Sequence, residues 1–377
     1  MEKVISVVMM GNAPSVRGGI TSVISQLRRH PWEKQGIRME FIPTFRGGSR
    51  LSKVSYFAAA FCKLWYRLRK GRVDVVHLHM SHNGSFWRKY LLHRLCGVYG
   101  VADIVHLHSS SLMEFYQNSS PAVRRRITRL FSQCAGVVVL GERWRQRVIQ
   151  IAPEAVIYPL PNTVLIPPCS SQQQVHRVTF LYLGVLVERK GVMDLLTAVA
   201  QLRREEAFDS GNAHFVIGGS GECEHEQQLR RYAAEHELED MVTFTGWLSP
   251  QHKEQQLLSS QVLVLPSYNE GLPVAVLEGI SYGLAVVATD VGDVSQVVRD
   301  GENGFLFAPG DIEALKRCLR ALMQSSLRER MGAKSREMAR QQLDERSYFA
   351  RLAKIYAAAA EKRGEKDGEN DRDMRLL

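Results

Sequence analysis

Residues 261–283 read QVLVLPSYNEGLPVAVLEGISYG. The apolar run QVLVLP is a buried strand by its β-branched content and length, and it empties into the polar loop SYNEGL. PVAVLEGISYG then reads as a helix, with Pro273 near its first position and Gly283 where it ends. Glu270 therefore stands in the loop before the helix and Glu278 about five residues inside it. At a rise of ~1.5 Å per residue, Glu278 lies roughly 7–8 Å along the axis. Between the two acids are the unbonded amides of a helix start, which attract an anion. Acid, anion site, acid is the order in which sugar, diphosphate and ribose follow one another, and each carboxylate can accept from two hydroxyls. The plainer alternative is a loop acid followed by a partly exposed helix acid, and spacing by itself does not choose between the two.

Outward from this stretch the same strand-then-helix alternation covers the chain. KVISVVMM, VDVVHLH, ADIVHLH and AGVVVL are apolar runs of the first half; VTFLYLG, AHFVIGG, MVTFTG, QVLVLP and LAVVATD are those of the second. Helical patterns lie between them, for example over residues 192–204 and 226–236. Such alternation predicts an α/β protein with two doubly wound, Rossmann-like parallel sheets. The first domain is expected over residues 1–165 and the second over 175–344. PLPNTVLIPPCSSQQQ (residues 159–174), rich in Pro, Ser and Gln, reads as the connection. A helix at about 345–362 is expected to pack back on the first domain, and the charged residues 363–377 to fray. Ligands of such sheets sit beyond the carboxyl ends of the strands, in the cleft two such domains leave. DVVHLH (74–79) and DIVHLH (103–108) match closely, as neighbouring strands that deliver polar loops to one edge.

Composition excludes several classes. With 45% hydrophobic and 23% charged residues the chain is an ordinary globular protein. Its six cysteines are scattered, which fits reduced thiols better than a disulfide or zinc framework. No run approaches the ~18 apolar residues of a membrane span. VISVVMM near the start reads as a first strand and not as a signal peptide. The net charge of +10 is unevenly placed: residues 1–170 hold 24 Lys and Arg against 8 Asp and Glu, the remainder 25 against 31. A basic half beside an acidic one implies two surfaces with different partners.

The segment Glu270 to Glu278 resembles the Glu-x7-Glu motif of family-four retaining glycosyltransferases. YLGVLVERKGVMDLL (182–196), VIGGSGE (216–222), VTFTGWLS (242–249) and ATDVGDVSQVVRDGENGFLFAPGD (288–311) resemble further motifs of that family, in family order. RGGITSV, the two HLH strands and LPNTV match more loosely. The resemblance implies the GT-B fold, two Rossmann-like domains with parallel sheets facing each other across a cleft. It implies transfer from a UDP- or GDP-sugar to a glycan or lipid-linked glycan, as in bacterial surface or exopolysaccharide synthesis.

Carried over by position, Glu270 contacts donor-sugar hydroxyls and Glu278 the ribose. Gly271, Leu272, Pro273, Val274 and Ala275 hold sugar and phosphate, and Lys190 pairs with the diphosphate. Gly219 and Gly221 let the backbone approach the nucleotide, and Thr245, Gly246 and Trp247 form the base pocket. Gly18 and Gly19 close on the phosphates, and His108 contacts the donor sugar. Two departures stand out. Val185 occupies the place of a family Arg, for which Arg189 is the candidate replacement. Gly292-Asp293 and Ser295-Gln296 replace a Gly-Gly and a Pro-Glu pair.

The remaining signals are weaker. No Gly-x-Gly-x-x-Gly follows a strand, which argues against a nicotinamide enzyme. His77, His79, His82, His106 and His108 could approach one another, but without Cys or carboxylate spacing they read as strand histidines satisfied by neighbours. The Asp-x-Asp of the tail reads as solvated charge, so no metal and no other cofactor is expected. Over residues 51–72, Phe57, Phe61, Leu64 and Leu68 share a helix face beside Lys63, Arg67 and Lys70. That stripe and Arg124–Arg126 fit either a core-packed helix with a basic edge or a peripheral site on an anionic membrane, on the cytoplasmic face of the inner membrane. Asn83, Trp87 and Arg88 are then acceptor-side candidates. A sugar-nucleotide epimerase of similar fold is the alternative enzyme. Binding of nucleic acid through the basic half is a third reading, for which no recognition module is present.

Overall fold

The computed structural model describes residues 4–171, 175–206 and 208–374, those from 362 onward by backbone alone. Among them are two parallel six-stranded sheets. The first contains β1 (Ile5–Asn12), β2 (Ile37–Phe45), β3 (Val75–Met80), β4 (Ala102–Leu107), β5 (Gly136–Val139) and β6 (Ile157–Pro159), in the order β2-β1-β3-β4-β5-β6. The second contains β7 (Val178–Leu183), β8 (Ala213–Gly218), β9 (Val242–Gly246), β10 (Val262–Leu265), β11 (Ala285–Thr289) and β12 (Gly304–Phe307), in the order β12-β11-β10-β7-β8-β9. All neighbouring strands are parallel, with helices between them in sequence, which is the α/β class the alternation predicts.

Contacts divide the chain into two units. One is Met1–Pro161 with Arg346–Leu377, the other Asn162–Glu345. In the first, all six residues of β3 are buried, as a parallel strand covered on both faces requires. The helix Glu345–Met374 belongs to this unit and inserts Tyr348, Phe349, Leu352, Ile355 and Tyr356. Its Phe349 ring stacks on His30 at 3.7 Å and meets Trp32 edge-on at 5.4 Å. The same helix continues to Met374, where charge density alone suggests frayed chain. Glu, Lys and Arg are good helix formers, and a helix already nucleated by packing extends at little cost. Residues 375–377 of the expected tail lie outside those described.

The helix Arg50–Arg69 settles one ambiguity. Leu64 and Leu68 are buried, and Phe57 and Phe61 pack against the same core. The apolar face picked out in the sequence is a core face.

In the second unit Phe180 of β7 and Phe215 of β8 stack at 4.8 Å. The Pro- and Ser-rich connection is not loose: Ser171 N–H donates to the Tyr282 carbonyl at 2.8 Å, and Arg336 donates to the carbonyls of Pro167, Pro168 and Ser281. Residues 172–174 lie outside those described.

Candidate functional site

The second sheet reverses direction between β7 and β10, so the loops after these two strands diverge from a common edge. A crevice beyond such a switch point is where open α/β sheets take ligands. The loop after β7 carries Lys190; the loop after β10 carries Glu270. The two side chains form an ion pair, Lys190 Nζ to Glu270 Oε1, with both largely withdrawn from solvent. Backbone ties hold the loops together: Tyr268 N–H donates to the Arg189 carbonyl at 2.8 Å, and Arg189 donates from its guanidinium to the Asn269 carbonyl at 3.1 Å. Gly191 makes the approach possible. It sits at φ +68°, and a Cβ there would fall 2.0 Å from the Pro266 carbonyl oxygen.

Glu270 is followed by the helix Val274–Tyr282, with Pro273 as its N-cap residue, one position earlier than the sequence suggests, and no side chain capping it. Gly283 ends it in the left-handed conformation, as expected. Gly271, Leu272, Val274 and Ala275 form this helix start next to the Lys190–Glu270 pair. Glu278, in the helix's second turn, pairs with Lys253 at 2.5 Å. Both acids singled out in the sequence are thus paired with a lysine, one from the loop after β7 and one from the helix Pro250–Ser259.

The loop after β7 also lies along the loop after β8. Leu186 N–H donates to the Ser220 carbonyl at 2.9 Å, and Leu186 and Gly221 form an isolated parallel bridge. A Cβ on Gly219 would fall 1.8 Å from the Gly184 carbonyl oxygen, and one on Gly221 1.8 Å from that of Leu186. These glycines serve contact between two protein loops in addition to any ligand. Thr245 Oγ1 lies 3.3 Å from the Ile217 carbonyl, Gly246 has φ +69°, and Trp247 is exposed, all at the end of β9. Arg189, the candidate replacement for the family Arg, is braced on the Asn269 carbonyl.

Several supporting residues escaped the sequence reading. Asn162 Nδ2 reaches the Leu272 carbonyl at 3.4 Å, so the connection buttresses the helix start. Tyr182 donates to the Val185 carbonyl at 3.0 Å; burial, and then the Glu270 carboxylate, push its pKa up. Asp293 is buried and its N–H donates to the Gly271 carbonyl at 2.8 Å. Burial raises the pKa of Asp194, which hydrogen-bonds Tyr268. LPNTV, Gly292-Asp293 and the stretch 182–196, which holds Tyr182 and Asp194, were the signals for these.

The other candidates lie in the first unit, whose sheet reverses between β1 and β3. Gly18, at φ +135°, is the N-cap residue of the helix Gly19–Arg29, following β1. Asn83, at φ +50°, caps the helix Gly84–Val98, following β3. Trp87 is partly exposed with the Arg126 guanidinium 5.7 Å over its ring, and Arg88 lies 4.7 Å over Phe45. Lys89 is buried, donates to Thr44 Oγ1 at 2.9 Å, and is pushed down to about 7 by burial. His108, just beyond β4, is partly exposed and lies 2.9 Å from His79. Burial, then the charge of Lys89, lower its pKa to about 3, so its ring is neutral at pH 7.

The family described as "Glycosyl transferases group 1" matches residues 170–338. An alpha-D-kanosaminyltransferase of Streptomyces kanamyceticus is 26% identical over 287 residues, 70% of this chain and 72% of the relative. Among solved structures, sucrose-phosphate synthase from Thermosynechococcus elongatus superposes with TM-score 0.76 at 18% identity, over 94% of this chain and 98% of that one. HepE of Anabaena, solved with UDP and glucose, superposes with TM-score 0.75 at 16% identity, over 94% and 100%. The likeness extends across both sheets, while the family match falls on the unit that holds Lys190, Glu270 and Glu278. The family match thus covers under half of the chain, within the second unit, and the likeness to solved structures gives the whole chain a GT-B fold.

Proposed function

We propose that the protein transfers a sugar, with retention at the anomeric carbon, from a nucleotide-diphosphate sugar to a hydroxyl of a glycan or lipid-linked glycan. The observation that carries this reading is the Lys190–Glu270 pair at the switch point, beside an uncapped helix start. A diphosphate at the helix start would draw Lys190 toward it and free the Glu270 carboxylate for sugar hydroxyls. The C1–O bond to the diphosphate breaks while the acceptor oxygen enters on the same face. The acceptor's proton passes to the departing phosphate oxygen. Lys190 and the amides of residues 271–275 stabilise the leaving charge, which is where most of the rate enhancement would arise. Glu278 would hold the ribose once its lysine partner yields. That HepE was solved with UDP and glucose supports a uridine donor among the possible ones.

The test is thermal unfolding with a panel of nucleotide sugars, followed by turnover with the stabilising donor and NMR of the anomeric product. Stabilisation by a nucleoside diphosphate with α-to-α transfer is expected. Inversion of the anomeric centre would overturn the retaining mechanism, and an altered nucleotide sugar formed without acceptor would favour an epimerase.

Peripheral membrane binding is a second part of the proposal, and it now rests on the outward face of the helix Arg50–Arg69. Leu51, Val54, Trp65 and Tyr66 are exposed there. Arg69 lies 5.6 Å over Trp65 and Lys70 5.8 Å over Tyr66, an amphipathic arrangement suited to anionic headgroups. No helix among the described residues is long and apolar enough to cross a membrane. Co-sedimentation with anionic but not neutral vesicles, weakening with salt, is the expected result; absence of binding at low salt would point to a soluble acceptor.

A further inference from the structure

Strands β3 and β4 pair so that His79 lies opposite His106, placing His77, His79, His106 and His108 on one face as a two-by-two array of rings. The sequence suggested histidines satisfied by their neighbours. Three contacts agree: His77 Nδ1 to Tyr356 Oη at 2.7 Å, His77 Nε2 to His106 Nδ1 at 3.3 Å, and His79 Nδ1 to His108 Nε2 at 2.9 Å. Two atoms do not: His79 Nε2 and His106 Nε2 are buried without any hydrogen-bond partner. Ligand nitrogens of His77, His79 and His106 lie within 4.8 Å of one another, and all three residues are buried.

We propose that His77, His79 and His106 form a buried three-imidazole site for a monovalent copper ion. Imidazole nitrogen suits copper, and among the described residues no carboxylate belongs to the group to balance a divalent charge. The cost of burying an ion grows with the square of its charge, and the buried Lys89 nearby adds to the penalty for a dication. The outer contacts fit ligation: with Nε2 of His77 on the metal, its Nδ1–H donates to Tyr356, and His79 Nδ1–H donates to His108. Burial keeps the rings neutral, the form that ligates. Three nitrogens at ~2.0 Å from one ion stand about 3.5 Å apart, so His77 Nε2 and His106 Nδ1 are already placed, and His79 Nε2, the unpartnered atom that the ion would satisfy, must close by rotation. The ion would join β3, β4 and, through Tyr356, the helix Glu345–Met374. This site is independent of the transferase reading.

The experiment uses the full chain with Cys62, Cys169, Cys223 and Cys318 changed to Ser, because accessible thiols also take copper(I). Copper(I) is titrated anaerobically against a chromogenic chelator, with zinc(II) in parallel. One copper(I) per chain is expected, with a nitrogen-only shell by X-ray absorption, and at least a hundredfold weaker retention in His79→Leu and His106→Leu. Failure of the folded parent chain to hold copper(I) against the chelator overturns the proposal, whether or not the leucine variants fold. Unchanged retention in variants shown folded by circular dichroism overturns the ligand assignment, and zinc(II) held in place of copper(I) overturns the choice of ion.

Discussion

The two sheets have nearly the same construction and use their carboxyl-side residues in opposite ways. In the second unit, the Lys190–Glu270 pair sits in the loops beyond β7 and β10, and Glu278 of the following helix pairs with Lys253 of the helix Pro250–Ser259. In the first unit, three buried imidazoles sit on the strands themselves, with His108 just beyond β4, the buried Lys89 on the helix Gly84–Val98 and, among the described residues, no acid in the cluster. Strand order differs to match: counted from its own first strand, the second sheet runs 3-2-1-4-5-6 and the first 2-1-3-4-5-6. A site built on paired charges in loops can exchange its partners for a ligand. An array of buried rings inside a sheet resists taking up protons. The contrast separates an edge where charge is paired from a core that disfavours protonation.

Glu270→Ala should have the largest effect. It removes a proposed contact to donor and strands Lys190. A fall of about 10²–10³ in kcat/KM is expected, with roughly 3 kcal/mol lost from stability because a largely buried ammonium loses its partner. Kinetics beside urea unfolding would show both; turnover near the parent's would remove Glu270 from the site.

Gly191→Ala comes next. The left-handed backbone and the collision with Pro266 should together cost about 3 kcal/mol. Gly18→Ala, where a Cβ meets nothing within 4 Å, should cost about 1 kcal/mol from backbone strain alone. Equal losses in the two melting curves would mean that the loops of the second unit are not held as closely as described.

Acid should act on the first unit before the second. Burial lowers His77 to about 3, whereas an unfolded imidazole titrates near ~6.5. Below pH 6.5 the unfolded chain therefore binds the extra proton. Stability is whole above that pH and falls as pH drops toward 3, by up to about 1.4 kcal/mol per pH unit for His77. Trp32, Trp65, Trp87 and Trp144 report on the first unit and Trp247 on the second, so fluorescence-detected urea unfolding at pH 7.5 and 5 can follow this. His77→Phe should flatten the slope; a slope that persists would place the acid sensitivity elsewhere.

The smallest effect is expected of Lys253→Ala. Its partner Glu278 keeps its place in the helix, and the lysine is about a third exposed, so stability should change by less than about 1 kcal/mol. Donor KM should move more than kcat. A loss of turnover as large as that of Glu270→Ala would show that Lys253 does more than hold the carboxylate.

Nine of the strands stood out as apolar runs in the sequence, and the three that did not are β2, β6 and β12. Each is an edge strand. Edges face solvent on one side: β2 carries Arg38, Glu40 and Pro43, while β6 and β12 are only three and four residues long. Of the site, Glu270, Glu278 and Lys190 were legible because spacing and helix punctuation are local. Lys253 and Asn162 were not, since their partners lie 25 and 110 residues away, and nothing in a single sequence states which contacts a fold will close. The stacked histidines were visible as a repeated HLH, but their satisfaction depends on Tyr356, 279 residues from His77.

That distance has a consequence for how the protein is made. The first unit is interrupted: its sheet is finished by residue 161, yet the helix that covers Trp32 and His77 starts only at Glu345. At ribosomal rates of ~5–20 residues per second, roughly 10–40 s separate the two. The second unit, continuous in the chain, can close in that interval, while the nascent first sheet waits with an aromatic and imidazole surface uncovered. This window is the natural moment for a chaperone, or for a metal ion, to reach a surface that the mature fold seals.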